Sequence, residues 1–177
     1  MRPDGFVAVD DVLALRDFKG VSFDDVRAVV RDNDKQRFAM RQEPDGTWLI
    51  RANQGHSIAV QVEMETITDP ADVPVAVHGT YKAKLDAILA QGLKVMSRQH
   101  IHLAVGLIGQ DGVISGMRRD NNVVIYVDVA KAMADGIVFM RSANNVILTE
   151  GRGGVLLPEY FSRVVDRNGK SLITPAS

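Results

Sequence analysis

Cysteine is absent from all 177 residues. That excludes a disulfide-stapled scaffold, a thiolate nucleophile and a cysteine-ligated zinc, and it fits a reducing compartment. Long apolar runs are absent too. The longest stretches, such as 123–127, are strand-sized and fall far short of the roughly 20 apolar residues that a membrane span needs. The opening Met1-Arg2-Pro3-Asp4-Gly5 has no apolar stretch behind it, so neither a signal peptide nor an anchor is expected. Neither sign of charge is in excess, with 21 Lys and Arg against 22 Asp and Glu. Any polyanionic partner must therefore be met by local clusters of Arg and Lys, not by an overall field. These absences leave a soluble intracellular protein, cytoplasmic or nuclear, as the expectation.

What is present is 46% hydrophobic residues, enough for one large core or two small ones. Up to about residue 57 the pattern is two short helices and a hairpin. Asp10 can cap a helix over 11–15. Ser22 can cap a stronger one, in which Phe23, Val26, Val29 and Val30 recur at helical spacing. Residues 35–41 read as a strand, Glu43-Pro44-Asp45-Gly46 as turn chemistry, and 48–51 as the returning strand. Helices followed by a two-stranded wing suggest a winged-helix module, a fold that usually carries a third helix in front. A break rich in proline and aspartate follows at Thr68-Asp69-Pro70-Ala71-Asp72-Val73-Pro74, and it sets domains of 1–68 and 69–177. The second part reads as a strand at 75–78, a helix at 81–91 with Leu85, Ile88 and Leu89 on one face, and strands at 100–103, 123–128, 146–149 and 160–165. Short strands with one or two helices imply an α+β domain rather than βαβ winding. There is no internal repeat.

The chain has 4 histidines, and their placement is informative. His100 and His102 would share one face of a strand while Ile101 and Leu103 turn to the core. Such a pair is either half a metal site or a hydrogen-bonding pair lining a cleft. No nearby Asp or Glu has the spacing of a third ligand, so no metal is expected. His56, in Gly55-His56-Ser57, reads as a turn histidine and not as a nucleophile elbow. Arginines sit near small residues. Ser115-Gly116-Met117-Arg118-Arg119 follows a loop of glycines (Gly106, Gly109, Gly112), Arg37 lies in Lys35-Gln36-Arg37-Phe38, and Arg141 opens Arg141-Ser142-Ala143-Asn144. Arginine's planar fork suits phosphate oxygens bidentately, although most arginines are simply solvated.

Taken together, Lys35-Gln36-Arg37-Phe38, residues 51–57, His78-Gly79-Thr80, and residues 98–103, 113–118, 139–144 and 146–149 resemble, in order and spacing, the NAD⁺-dependent tRNA 2′-phosphotransferase family. The likeness runs from about residue 5 to about residue 161. It implies a winged-helix lobe joined to an ADP-ribosyltransferase-like lobe. It also implies a two-step reaction on tRNA, or other RNA, bearing a splice-junction 2′-phosphate. The 2′-phosphate would attack the anomeric carbon of the nicotinamide ribose and expel nicotinamide. The ribose 2″-hydroxyl would then attack phosphorus, leaving 2′-hydroxyl RNA and ADP-ribose 1″,2″-cyclic phosphate. NAD⁺ would be a co-substrate, and arginines rather than a metal would hold the charge.

The same resemblance assigns roles. Arg37 and Arg118 match two arginines of the family's essential cluster and are expected to clamp the phosphate from the two lobes. His78 and His102 correspond to the histidines that mark this branch of the fold, and His78-Gly79-Thr80 is expected to hold the ribose and amide portions of NAD⁺. Arg141 and Ser142 would line the donor pocket, and Lys35 and Arg51 would meet flanking RNA phosphates. The family's first helix, which carries an Arg-His pair of the same cluster, has no counterpart in these residues, so a truncated winged helix is expected, working as a monomer. Two rivals stand beside this reading: an ADP-ribosyltransferase that stops after the first step on nucleic-acid phosphates, and a non-catalytic RNA- or NAD-binding form.

Overall fold

A computed structural model of the chain describes residues 2–33, 36–53, 64–107 and 120–173. Two compact units lie along it, Met1–Glu63 and Met64–Ser177.

In the first unit, strand β1 (Val7–Ala8) leads into helix α1 (Val9–Leu13), and helix α2 (Phe23–Arg31) follows. Asp10 does not cap α1. Ala8 holds that position without a side-chain bond, and Asp10 and Asp11 sit inside the first turn, where negative charge suits the positive end of the helix dipole. Ser22 caps α2 as the sequence implies. Its hydroxyl accepts from the Asp25 N–H at 3.2 Å, and the Asp25 carboxylate accepts from the Ser22 N–H at 2.8 Å. This reciprocal box satisfies donors that a helix start leaves open. Along α2, Val26 is buried and Phe23 and Val30 are half-buried, but Val29 is 57% exposed. At 3.6 residues per turn it falls about 60° beyond Val26, off the flank of the buried stripe.

Strands β2 (Phe38–Gln42) and β3 (Trp48–Ala52) form the expected hairpin, in register from Phe38 opposite Ala52 to Gln42 opposite Trp48. Gly46 turns the chain with φ of 90°, its N–H donating to the Glu43 carbonyl at 2.9 Å. β2 starts at Phe38 rather than at 35, because Gln36 has φ of 44° and breaks any extended run before it. β1 pairs with the other edge of β3, which gives a three-stranded sheet in the order β1-β3-β2. Phe6, Val9, Val26 and Leu49 are the buried apolar residues here.

The second unit begins with β4 (Met64–Thr66), β5 (Val77–Thr80), helix α3 (Lys82–Gln91), β6 (Leu93–Lys94) and β7 (Ile101–Ala104). It continues with β8 (Val123–Val127), helix α4 (Val129–Ala134), β9 (Met140–Ser142), β10 (Val146–Thr149), β11 (Val155–Leu156) and β12 (Phe161–Asp166). Seven of these strands form one sheet in the order β12-β8-β5-β7-β10-β9-β4, and every neighbouring pair is antiparallel. β6 and β11 make a separate ribbon. The architecture is mixed α and β, with helices beside antiparallel strands. β8 shows the period of a half-buried strand, with Val123, Ile125 and Val127 inside. They join Leu85, Leu103, Phe139, Ile147, Leu156 and Val164 in one core.

The proline- and aspartate-rich segment 68–74 lies inside this second unit. Asp69 caps a short 3₁₀ turn there, accepting from the Ala71 N–H at 2.8 Å. Ile67 and Val73 beside it are core residues of the same unit. The division falls earlier because β4 pairs with β9 and ties residues 64–66 to the large sheet. No helix among the described residues is long and apolar enough to cross a membrane.

Candidate functional site

Strands β5 and β7 are neighbours in the middle of the large sheet, yet their main chains are in register at one residue pair, Val77 with Ala104. Beyond that pair a side chain joins them. Nδ1 of His78 lies 3.0 Å from the main-chain oxygen of His102. A carbonyl can only accept, so Nδ1 carries the proton and Nε2 the lone pair. His102 repeats the arrangement one step on, its Nδ1 donating to the His100 carbonyl at 3.0 Å. Both rings are thereby held as the same tautomer, with Nε2 as an acceptor. Nε2 of His102 is buried and has no hydrogen-bond partner among the described residues, which is costly unless something supplies a donor.

A cleft of about 490 Å³ opens against these rings. His78 and Thr80 of β5 and His100 and His102 at the start of β7 form one wall. Helix α3 forms another with Lys84, Ala87, Ile88 and Gln91, the i, i+3, i+4, i+7 stripe of one helix face. Gly92 then ends α3 with φ of 82°, and a Cβ there would lie 2.5 Å from the Leu156 carbonyl oxygen. Only glycine lets the chain leave α3 this close to residues 155–156, and Met96 and Arg98 of the segment that follows line the cleft.

Burial pushes the His102 imidazole down to about 4, and the nearby Arg98 charge adds to the effect. His78 is lowered for the same two reasons, burial first, against its bond to the His102 carbonyl. His100 is also lowered by burial, partly offset by Glu150, whose carboxylate is 3.8 Å from its Nε2. At neutral pH the deep wall is therefore uncharged. The rim differs. Arg98 and Lys84 are exposed, and their charged groups make no hydrogen bond or ion pair among the described residues. No carboxylate stands among the described residues lining the cleft.

His78, Thr80 and His102 thus meet in one cleft, with Gly79 between them on β5, paired with Val124 of β8. Arg141 and Ser142 sit on β9, outside the residues that line it. The Arg141 guanidinium donates to the Asp72 carbonyl and to Asn145 Oδ1, both at 2.7 Å. The Ser142 hydroxyl is buried in the turn between β9 and β10, where it accepts from the Val146 N–H at 3.1 Å. In the first unit Arg37 is exposed just before β2, and its guanidinium has no partner among the described residues. Arg51 is different: it is half-buried, its Cζ lies 4.7 Å from the Phe6 ring centre, and its Nη1 reaches the Asp4 carbonyl at 3.4 Å. Lys35, His56, Arg118 and the glycine loop at 109–116 lie outside the described residues. Among the described residues, no three His, Asp or Glu side chains gather as a metal site would require. His100 and His102 both line the cleft, and the His102 ring bonds to the His100 main chain. Neither Arg98 nor Lys84 stands out in the sequence as a site residue. The stripe 84, 87, 88, 91 and the position of Arg98 two residues before His100 are the signals that could have drawn attention to them.

Residues 1–151 match the family described as RNA 2′-phosphotransferase, Tpt1 / KptA family. A Schizosaccharomyces pombe protein is 49% identical over 174 residues, which is 98% of this chain and 47% of its own length. The chain thus spans about half the length of that relative. It is also similar to tRNA 2′-phosphotransferase 1 of Danio rerio, at 51% over 168 residues, covering 92% of this chain and 75% of the relative. The Homo sapiens protein of the same name is 47% identical over 169 residues, covering 93% and 67%.

Proposed function

The chain belongs to the RNA 2′-phosphotransferase, Tpt1 / KptA family, and we propose that it removes the 2′-phosphate from ligated tRNA by passing it to NAD⁺. The first unit is read as a winged-helix, RNA-binding lobe, on the strength of two helices and a β1-β3-β2 sheet with a hairpin wing. The second is read as an ADP-ribosyltransferase-like, NAD⁺-binding lobe. The observation that carries this reading is the pair of neutral imidazoles, His78 and His102, fixed as Nε2 acceptors in the wall of the cleft. Uncharged acceptors in a desolvated wall suit ribose hydroxyls, and the orphaned Nε2 of His102 is a place for one such donor. Thr80 and Gly79 extend that wall along β5. Arg141 and Ser142 serve the donor pocket through its shape, because their own hydrogen bonds hold β9 and its turn.

The chemistry needs positioning and charge. In the first step an RNA phosphate oxygen forms a bond to the anomeric carbon as the carbon–nitrogen bond breaks, and nicotinamide leaves with that electron pair. In the second, the ribose 2″-oxygen bonds to phosphorus and loses its proton, while the RNA 2′-oxygen leaves and gains one. Arg37, whose fork has no partner among the described residues, and Arg118 are the proposed phosphate-holding residues, since fixed guanidinium groups do most where charge gathers on phosphorus. Lys35 and Arg51 belong to the RNA-facing lobe; Arg51 acts there through its packing on Phe6.

The test is to incubate the protein with NAD⁺ and a 2′-phosphorylated RNA oligonucleotide. Nicotinamide, 2′-hydroxyl RNA and ADP-ribose 1″,2″-cyclic phosphate should appear in equal amounts, unaffected by a chelator. Arg118→Ala should lower turnover by ~10²–10³, the usual cost of losing one such donor, and Arg118→Lys should recover little of it. Stable ADP-ribosylated RNA with no cyclic phosphate would replace this reading with the one-step transferase. NAD⁺ binding without nicotinamide release would replace it with a binding protein.

A further inference from the structure

We propose that Arg98 and Lys84 form the anion end of the cleft and hold the diphosphate of the dinucleotide. The inference rests on reading the cleft as the NAD⁺ site, and it adds a binding role for Arg98 and Lys84, to which the resemblance assigns none. It follows from how charge is layered through the cleft. The innermost polar residues, Thr80 and His102, are 6% and 9% exposed, and the His102 ring presents an acceptor. A phosphate oxygen placed there would meet a lone pair with a lone pair, whereas a hydroxyl would donate to it.

At the rim the order reverses. Among the described residues Arg98 and Lys84 are exposed and unpaired, and no described carboxylate stands in the wall to neutralise them. Most surface cations find a counter-charge or point into open water, but these two border the same concave space. Arg98 offers a planar fork suited to two oxygens at once, and Lys84 offers a point charge. A ligand that meets both layers carries hydroxyls at one end and an anion a short distance away, as a ribose diphosphate does. Size favours a small molecule over a nucleic-acid strand. At about 490 Å³ the cleft falls in the usual range of small-ligand sites, roughly 300–1,000 Å³.

Calorimetric titration of the whole chain with three probes tests this: inorganic pyrophosphate, NAD⁺, and a 2′-phosphorylated RNA oligonucleotide. Pyrophosphate should bind and compete with NAD⁺. Arg98→Ala and Lys84→Ala should each weaken both ligands about tenfold or more, and Arg98→Lys should restore part of the loss. RNA binding should not change, and thermal melts should match wild type because neither side chain has a partner among the described residues. Undiminished binding of NAD⁺ and pyrophosphate by both alanine variants would overturn the assignment, as would a loss confined to RNA. If pyrophosphate binding depends on Arg98 while NAD⁺ does not bind at all, the anion site stands and the dinucleotide reading of the cleft is what fails.

Discussion

Acid should destabilise the second unit through His102, and the size of the effect can be worked out. In an unfolded chain the imidazole titrates near its ordinary 6.5; in the fold burial, with Arg98 nearby, holds it at about 4. Between those values the unfolded chain carries more bound protons, so unfolding is favoured as the pH drops. The stability is complete above about pH 6.5, is lost as the pH falls toward 4, and the loss levels off below that. A shift of roughly 2.5 units at about 1.4 kcal/mol per unit corresponds to about 3 kcal/mol, a large share of a typical net stability of about 5–15 kcal/mol. Carboxylates such as Asp32 also lose their partners in acid, so acid sensitivity alone proves nothing about His102. Urea melts at about pH 7.5 and about pH 4.5 should be run on wild type and on His102→Gln, whose amide does not titrate. The variant should start less stable but lose about 2–3 kcal/mol less than wild type over that drop. Equal losses in the two proteins would show that the ring is not held neutral, and the acceptor role assigned to its Nε2 would go with it.

Two further outcomes follow from the second unit's packing. Gly92→Ala puts a side chain at φ of 82° with its Cβ 2.5 Å from the Leu156 carbonyl oxygen; backbone strain alone costs of order 1–3 kcal/mol, so denaturant melts should show a loss of about 3 kcal/mol or more, and a loss below about 1 kcal/mol would mean that β6 and β11 yield easily. Arg141→Ala removes the donors to Asp72 and Asn145 and should lower stability by about 1–3 kcal/mol in thermal melts, with Arg141→Lys recovering little, because an ammonium cannot span two acceptors in the plane of a fork.

Where a short stretch of sequence contains its own stabilising partner, the fold could be read directly. Ser22 and Asp25 are three residues apart and satisfy each other. The hairpin turn at 43–46 carries the glycine its left-handed bend requires, and β8 is a continuous apolar run of strand length. What escaped notice was short or settled at a distance. β4 and β9 have three residues each and exist by pairing with one another and with β10. α4 has six residues and little periodicity to show. The position of Val29 depends on how α2 is rolled on its sheet, which helical spacing alone leaves open by about one side chain.

The site divides along the same line. His78 and His102 stand out because they sit in distinctive segments, but their tautomers are set by carbonyls across the β5–β7 junction and within the turn into β7. Arginine was the harder residue to read, since one side chain type had several fates within this one chain. Arg37 has no partner for its fork among the described residues, Arg51 stacks on Phe6, and Arg141 ties β9 to the main chain at Asp72. The resemblance gives all three phosphate or donor-pocket roles, yet it gives none to Arg98, which borders the cleft without a partner among the described residues. An arginine can bind a phosphate only with donors that the fold has not already used, and those donors are spent on carbonyls and rings remote in sequence. The residue types and motif order therefore point to the chemistry, whereas the choice of which cations perform it requires the hydrogen-bond accounting of the folded chain.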